Sequence, residues 1–510
     1  MRYALNSKKM KKIDDYTSEV IKIPSLVLME RAAYEVAAVI ESKIQKSDRI
    51  LAICGMGNNG GDGIAAGRIL YLKGYTVAIL FIGDSEKATE QTKLQLKIAE
   101  NLGIPIENNN KLGEYNIIID AIFGIGLTRE VTGIYADIIK EINQNDNMVF
   151  AVDIPSGISA DDGSIKNTAV KADYTITFGW QKQGLLRYPG AEYAGDITVA
   201  DIGFPEKALQ QVKPDTFYYD SEDLKRLPIR KNNGHKGTFG KVLVIAGSKG
   251  MGGAAYLSAK AAYKTGAGLV KVLTDAENRL ILQTLLPEAL FAAYNHTDGQ
   301  KKLPAELMQM LEWATVIVIG PGLGQSQPAL DILKTVIMKA QVPVIIDADG
   351  INLLAKELDQ VSSETESRLN QLSKMLKDET ILTPHLMEFS RLLNKPVEEL
   401  GNNLIDTAGE CSYNNKLIYT VKDARTVIAH QGQRYINRSG NHGMATGGSG
   451  DVLTGIIAAL VAQGLKPYDA ACLGVYIHGL AGDFAAKEKG SYSIIASDIL
   501  DSIEDIMKAE

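Results

Sequence analysis

Cysteine is scarce in this chain. Cys54, Cys411 and Cys472 are the only three in 510 residues, and they are scattered. No two have C-x-x-C spacing, so neither a disulfide framework nor a thiolate zinc site is expected, and the pattern is that of a reducing compartment. Long apolar runs are also missing. The longest, around residues 455–462, falls far short of a membrane span. Residues 1–20 are polar and lysine-rich without an apolar core, which argues against a signal peptide. Nor is there an excess of positive charge. A net charge of −7 and a pI near 5.6 disfavour nucleic acid or an anionic membrane as partners, so any phosphate site has to be local. The expected location is the cytoplasm.

What is present is ordinary in bulk and informative in detail. Apolar content of 45% and charged content of 23% fit a globular protein, and the length suggests more than one domain. Residues Thr446-Gly447-Gly448-Ser449-Gly450-Asp451 precede an apolar helical pattern of Val452, Leu453, Ile456, Ile457 and Leu460. Glycine leaves backbone N–H groups unobstructed, and a helix N-terminus behind them adds a favourable dipole. Gly447, Gly448, Ser449 and Gly450 therefore form a candidate anion hole. Asp451 at its lip would be repelled by a bound phosphate. Its presence suggests chemistry, most simply a base taking a proton from an attacking hydroxyl.

A second glycine-rich loop, Gly55 to Gly63, follows the buried-strand pattern Leu51-Ala52-Ile53-Cys54 and precedes a helix face at Ile64, Ala65, Ile69 and Leu70. Strand, glycine loop and helix is the dinucleotide-fold arrangement. No Gly-Lys-Ser/Thr follows, so this is not a Walker A loop. The paired Asn58 and Asn59 suit a ribose, a phosphate or a monovalent cation. Two anion-binding loops in one chain argue for two active sites.

The first half alternates strand and helix, with strands expected at 50–54, 76–82, 116–120 and 148–153, and a β-rich close at 174–178 and 197–199. Asp120 and Asp153 each end a strand, so they and the loop 57–63 should converge on one edge of a parallel sheet. Residues 213–236 are charged and broken by Pro214 and Pro228, which reads as a linker. A second alternation predicts strands near 241–246, 269–273, 315–319, 343–347, 380–382 and 417–421, then a helical tail over 451–510. The fold class is α/β, with two domains expected at 1–215 and 216–510.

Three segments of the first half resemble the NAD(P)HX epimerases: residues 57–63, residues 120–129 and Val152-Asp153-Ile154-Pro155-Ser156-Gly157. The second half resembles the ADP-dependent NAD(P)HX dehydratases, a ribokinase-like branch. The matching stretches there are His235-Lys236-Gly237, 266–270, 320–324, Asp347-Ala348-Asp349-Gly350, Thr383-Pro384-His385, 422–426 and the 446–451 loop. The resemblance spans nearly the whole chain. It implies a Rossmann-like three-layer domain followed by a ribokinase-like α/β domain, and a bifunctional enzyme that repairs hydrated NADH and NADPH. One activity interconverts the R and S hydrates. The other removes water from the S form at the expense of ADP, releasing AMP and phosphate. Bacterial members use ADP and eukaryotic ones ATP. The implied partners are NADHX, NADPHX and ADP, and the expected assembly is a homo-oligomer.

By the same resemblance, Asn58, Asn59, Gly60, Gly61 and Asp62, with Gly124, Ile125, Gly126, Leu127, Thr128, Arg129 and Glu130, wrap the damaged dinucleotide. Backbone N–H groups of two loops suit a pyrophosphate, and Arg129 adds a charge-assisted contact. Family members bind potassium at positions matching Asn59, Asp120 and Ser156. All three offer oxygen, and one carboxylate among neutral oxygens suits a single positive charge. Asp153 is the candidate acid/base, because inverting the hydrated carbon needs a proton donor and acceptor near the ring. A plain ribose contact is its alternative role.

In the second half the resemblance places ADP across Lys422, Asp423, Ala424, Arg425, Thr426 and Gly450, with magnesium on the nucleotide, and the hydrate against Ala254, Gly322, His385 and Asp451. Two residues depart from the family pattern: Asp423, where many relatives carry glycine, and His442, where relatives often carry proline. Two rival readings differ in class. One is a small-molecule kinase fused to a regulatory domain, which would release a stable phosphorylated product. The other makes the first half a nucleotide-sensing module without catalysis.

Overall fold

The structure, a computed structural model, describes residues 1–107, 112–294 and 306–508. It divides into two compact units. One is Tyr3–Thr216; the other is Met1–Arg2 with Phe217–Glu510.

The first unit is built on a seven-stranded sheet. Its order is Ile106–Glu107, Thr76–Phe81, Arg49–Cys54, Ile117–Ala121, Met148–Val152, Tyr174–Phe178, Asp196–Ala200, and every pairing is parallel. Alternation along the strands divides the core between two faces. Ile50, Ala52 and Cys54 pack beneath the helices Ser25–Glu41 and Asn58–Leu72, whereas Leu51 and Ile53 pack against the helix Ile134–Gln144. The unit is a Rossmann-like three-layer domain. Chain order reverses between Arg49–Cys54 and Ile117–Ala121, and in parallel sheets ligands bind at the carboxyl ends beside such a reversal. Both glycine-rich loops of this half leave from those two strand ends.

The second unit repeats the logic. Its parallel strands run in the order Leu290–Tyr294, Leu269–Asp275, Lys241–Ile245, Val316–Ile319, Val344–Ile346, Ile381–Leu382, Ile418–Val421. An antiparallel hairpin, Val427–His430 and Gln433–Ile436, extends the sheet. The order reverses between Lys241–Ile245 and Val316–Ile319. The tail is helical as expected, with helices Ser449–Ala462, Pro467–Lys489 and Ala496–Met507. Ser449–Ala462 is buried almost throughout and packs on Gly252–Lys264. A β-carbon on Gly455 would lie 2.1 Å from the Ser258 carbonyl oxygen, so glycine is what lets these helices approach. Ser258 Oγ and Thr454 Oγ1 hydrogen-bond across the contact at 3.0 Å.

The expected linker over 213–236 is shorter than its prolines and charges suggest. Phe217, Tyr218 and Tyr219 are buried. Tyr219 lies 4.9 Å from the Tyr435 ring and Phe217 5.6 Å from it, with Tyr468 and Tyr476 completing the cluster. Asp223 is buried between the Met1 amino group and Arg226. Burying three consecutive aromatic residues outweighs the local turn signals.

Candidate functional site

The reversal point of the first unit opens into a cavity of about 990 Å³. Asn58, Asn59, Asp62, Gly124, Ile125, Gly126, Leu127, Thr128, Arg129 and Asp153 all line it. The helix Asn58–Leu72 begins at its wall. Gly60 and Gly61 are buried in the first turn of that helix. They shape the loop: a β-carbon on Gly60 would lie 1.9 Å from the Gly55 carbonyl oxygen. Glu130 is exposed and is not among the lining residues.

Asp120 and Ser156 are fully buried behind this wall. Ser156 donates to Asp120 twice, from Oγ at 2.5 Å and from its backbone N–H at 2.8 Å. Burial raises the Asp120 pKa to about 6, and the Ser156 bonds only partly offset it. Phe123 N–H reaches Ser156 Oγ at 2.9 Å, which joins the pair to the 124–130 loop. Asn59 approaches the same loop; a β-carbon on Gly124 would stand 3.2 Å from Asn59 Oδ1. Asn59 Nδ2 is buried with no hydrogen-bond partner among the described residues.

Asp153 adopts a left-handed backbone at φ 66°, a conformation asparagine and aspartate tolerate better than most residues. Its Oδ1 accepts from Lys182 Nζ at 2.5 Å, Phe178 N–H at 3.0 Å and Thr177 Oγ1 at 3.2 Å. Burial, with the Asp153 and Asp14 carboxylates nearby, holds the Asp62 pKa well above the usual range. The cavity thus carries one carboxylate whose surroundings favour its protonated form beside another paired with a cation. Lys182 was not singled out from sequence. It lies on the two-residue strand Gln181–Lys182, and its only signal is a fully buried lysine.

In the second unit the crevice forms at the carboxyl ends of the parallel strands. Gly448 caps the helix Ser449–Ala462 with φ 92°, and Asp451 sits in the first turn. Lys422 Nζ bonds Asp347 Oδ1 at 2.7 Å, and Thr383 Oγ1 donates to the same oxygen at 2.7 Å. A β-carbon on Gly450 would lie 3.1 Å from Lys422 Nζ, so the ammonium stands directly over the anion loop. Burial and the carboxylates of Asp347 and Asp349 push the Asp451 pKa up to about 7, against a downward pull from Lys422. Burial also pulls on Lys422, but Asp347 and Glu388 outweigh it and its pKa is raised. Behind the loop, Ser449 Oγ lies 3.3 Å from Nε2 of the buried His478, whose pKa burial lowers to about 4.

His385 comes to the same place, through a parallel bridge between His385 and Lys422. It caps the helix Leu386–Leu393, with Nδ1 accepting from the N–H groups of Met387 and Glu388, and its Nε2 lies 3.3 Å from the buried Glu388 Oε1. Burial, with Lys422 and Arg391 nearby, lowers its pKa, which favours the neutral ring. Ala254 and Gly322 are neighbours, since a β-carbon on Gly322 would meet Ala254 Cβ at 3.0 Å. Lys422, Arg425 and Thr426 are half-buried, whereas Asp423 and Ala424 are exposed. Arg425 donates to the Arg438 carbonyl. The departing Asp423 therefore points no charge into a buried space. The other departure, His442, hydrogen-bonds Ser491 Oγ through Nε2 at 2.9 Å, which fixes the approach to the loop without a proline. Asp347, Glu388 and His478 received no role from sequence, and Ala348 between two aspartates has φ 45°, a strained conformation for alanine.

Comparison with known proteins agrees in both halves. Residues 25–184 match the family described as YjeF-related protein N-terminus, and residues 242–505 match NAD(P)H-hydrate dehydratase. A bifunctional NAD(P)H-hydrate repair enzyme of Moorella thermoacetica is 35% identical, over 99% of this chain and 97% of its own. The protein of the same name from Escherichia coli is 33% identical, over 97% of this chain and 92% of its own. Among solved structures, a ribokinase-like superfamily protein of Enterococcus faecalis matches 58% of this chain and 96% of its own with a TM-score of 0.50 at 33% identity. The chain belongs to the family of bifunctional NAD(P)H-hydrate repair enzymes.

Proposed function

We propose that the enzyme repairs hydrated NADH and NADPH at two separate sites: residues 1–215 epimerise the R and S hydrates, and residues 216–510 dehydrate the S form using ADP. The observation that carries the second assignment is Asp451, in the first turn of a helix whose glycine-rich N-terminus lies under the Lys422 ammonium. Hydroxide is a poor leaving group at neutral pH. Asp451 removes the proton from the ring hydroxyl as that oxygen attacks the terminal phosphorus of ADP. N–H groups of Gly447, Gly448, Ser449 and Gly450 receive the charge developing on the phosphoryl oxygens. AMP leaves as its bond to that phosphorus breaks; phosphate then departs as the ring nitrogen donates its lone pair, and loss of the proton from the adjacent ring carbon re-forms the double bond. A pKa near 7 suits a base working at neutral pH.

At the first site, Asp153 is the group that exchanges protons with the hydrate, and Asp62 is placed to supply one. Asn58, Asn59 and Asp62, with Gly124 to Arg129, hold the dinucleotide, and Gly60 and Gly61 shape the first of these loops. Asn59, Asp120 and Ser156 would hold a potassium ion. They fit it: all can offer oxygen, one is a carboxylate, and the orphaned Asn59 amide can turn its oxygen inward, since amide orientation is interchangeable. The ion would supply fixed positive charge near the pyrophosphate. Magnesium fits as a passenger on the nucleotide, where it would neutralise phosphate charge.

The cavity beside Asp153 favours a catalytic first half over a nucleotide-sensing module. The deciding experiment follows absorbance at the reduced-nicotinamide band when hydrated NADH meets protein, magnesium and either ADP or ATP. Recovery of the band with release of AMP and phosphate is expected, faster with ADP. A stable phosphorylated product would favour the kinase reading instead. The reading includes a cytoplasmic homo-oligomer. Among the described residues no helix is long and apolar enough to cross a membrane, and the assembly is checked by light scattering.

A further inference from the structure

Lys182 makes no contribution to the family motifs, yet it is fully buried at the cavity of the first unit. Its ammonium has three acceptors: Asp153 Oδ1 at 2.5 Å, Thr177 Oγ1 at 2.9 Å and the Phe178 carbonyl at 3.0 Å. That accounts for all three of its donors. Asp153 is used asymmetrically. Every described hydrogen bond to its side chain ends on Oδ1, and none ends on Oδ2. The backbone is braced as well, since Asp153 N–H donates to the Ile176 carbonyl at 2.8 Å.

We infer that Lys182 is a positioning residue for epimerisation: it clamps Asp153 Oδ1 against the strand Tyr174–Phe178 and so presents Oδ2 to the hydrate. This rests on the reading of Asp153 as the proton-exchanging group. A buried ion pair is seldom the most stable way to fill a core, because desolvating both charges costs about as much as their attraction returns. Here the pair stands beside a carboxylate that lines the cavity. The charged surroundings give it a second task. Asp62 faces Asp153 from the helix Asn58–Leu72, Asp14 lies close to Asp62 on the helix Ser7–Asp15, and Lys8, Lys11 and Arg129 line the cavity farther out. Among these acidic groups Lys182 is the cation in direct contact with Asp153, and it balances that carboxylate's charge.

The test uses the full chain and R-NADHX without nucleotide, measuring kcat and KM for epimerisation from acid to alkaline pH. Lys182→Met is expected to lower kcat by about 10²-fold, the order of loss for a misplaced reacting group, with KM within about twofold. An unchanged kcat overturns the inference. A merely structural role would lower the melting temperature and leave kcat and KM of the folded fraction in place. Should Lys182→Met fail to fold, the charge-free pair Asp153→Asn with Lys182→Met takes over. It should be no slower than Asp153→Asn alone, and a further loss would show that Lys182 does not act through Asp153. Asp153→Asn by itself separates the two levels: near-normal epimerisation in that variant removes the underlying reading of Asp153, whatever Lys182 does.

Discussion

Lys422 Nζ is 2.7 Å from Asp347 Oδ1, and the pair lies where the anion loop begins its helix. The two reach each other across 75 residues of sequence, from the ends of separate parallel strands. Asp347 is 1% exposed, and this partner and Thr383 both hydrogen-bond its Oδ1. Lys422→Met should therefore do two things. It should destabilise the second unit by about 3–5 kcal/mol, the usual result of orphaning a buried charge, and abolish nucleotide-dependent repair. Adding Asp347→Asn should recover much of the melting temperature and none of the turnover. Epimerisation should be untouched in both variants.

Asp451→Asn should lower ADP-dependent repair by about 10²–10⁴ while nucleotide binding survives. The same substitution should stabilise the protein under alkaline conditions. The folded-state pKa of Asp451 is raised to about 7 from a usual value of 3.8. Below the usual value both folded and unfolded chains hold the proton, and the mutation changes little on this account. From about pH 3.8 upward the unfolded chain ionises while the native state holds its proton, so stability falls until, above the folded value, the native state carries a buried charge. The penalty is complete above pH 7, on the order of 1 kcal/mol or more. Melting curves at pH 3.5, pH 5 and pH 8 check the sign: the variant's gain over wild type should be near nil at the first, partial at the second and full at the third. Wild-type repair should fall on the acid side of about pH 7, as the base takes up its proton.

The contrast between Asp451 and Lys182 shows what sequence carries here. Asp451 is announced by the glycines before it and the apolar period after it, both local signals. Asp120 and Asp153 are announced by apolar runs that stop at an acid. Lys182 follows no such pattern, because its partner lies 29 residues away and the pairing exists only once Met148–Val152 and Tyr174–Phe178 lie side by side. His478 is likewise a polar residue inside a buried helix, visible as functional only beside Ser449. Leu290–Tyr294 is not among the strands the sequence predicts; two of its five residues are alanine, which favours strands little. The hairpin Val427–His430 and Gln433–Ile436 hid in a polar stretch, although Gln431 and Gly432 at φ 47° and 83° are a two-residue turn of the type that joins antiparallel strands.

The two activities should separate by cutting between residues 213 and 217. The aromatic cluster at Phe217 and Tyr219 packs on Tyr435, so a later cut would strip the second unit of core. Residues 1–216 should fold alone and epimerise, and 217–510 should dehydrate S-NADHX with ADP. The second fragment loses the Met1 amino group from Asp223, which keeps Arg226, and the exposed Arg2 from Asp220, so the electrostatic cost should be small. Circular dichroism and one assay per fragment decide the matter; two insoluble fragments would show that the boundary is wrong.

The first site should require potassium. Asp120 is fully buried, and its three described hydrogen-bond donors come from Ser156 and Ile122 with no cation among them. A monovalent ion between Asp120, Ser156 and a turned Asn59 would balance that charge and hold the 58–62 loop against the 124–130 loop. Epimerisation should then rise with potassium and respond far less to sodium, whose smaller radius fits the same oxygens poorly. Asp120→Ala should weaken hydrate binding as well as slow the reaction, because the ion loses its only full negative charge. Dehydration of pure S-NADHX should proceed at the wild-type rate, since Asp451 and Lys422 belong to the other unit. A crystal grown in potassium salt with only water between the three side chains would remove the ion from the mechanism, and Asp120 would then be a buried brace for the Ser156 turn.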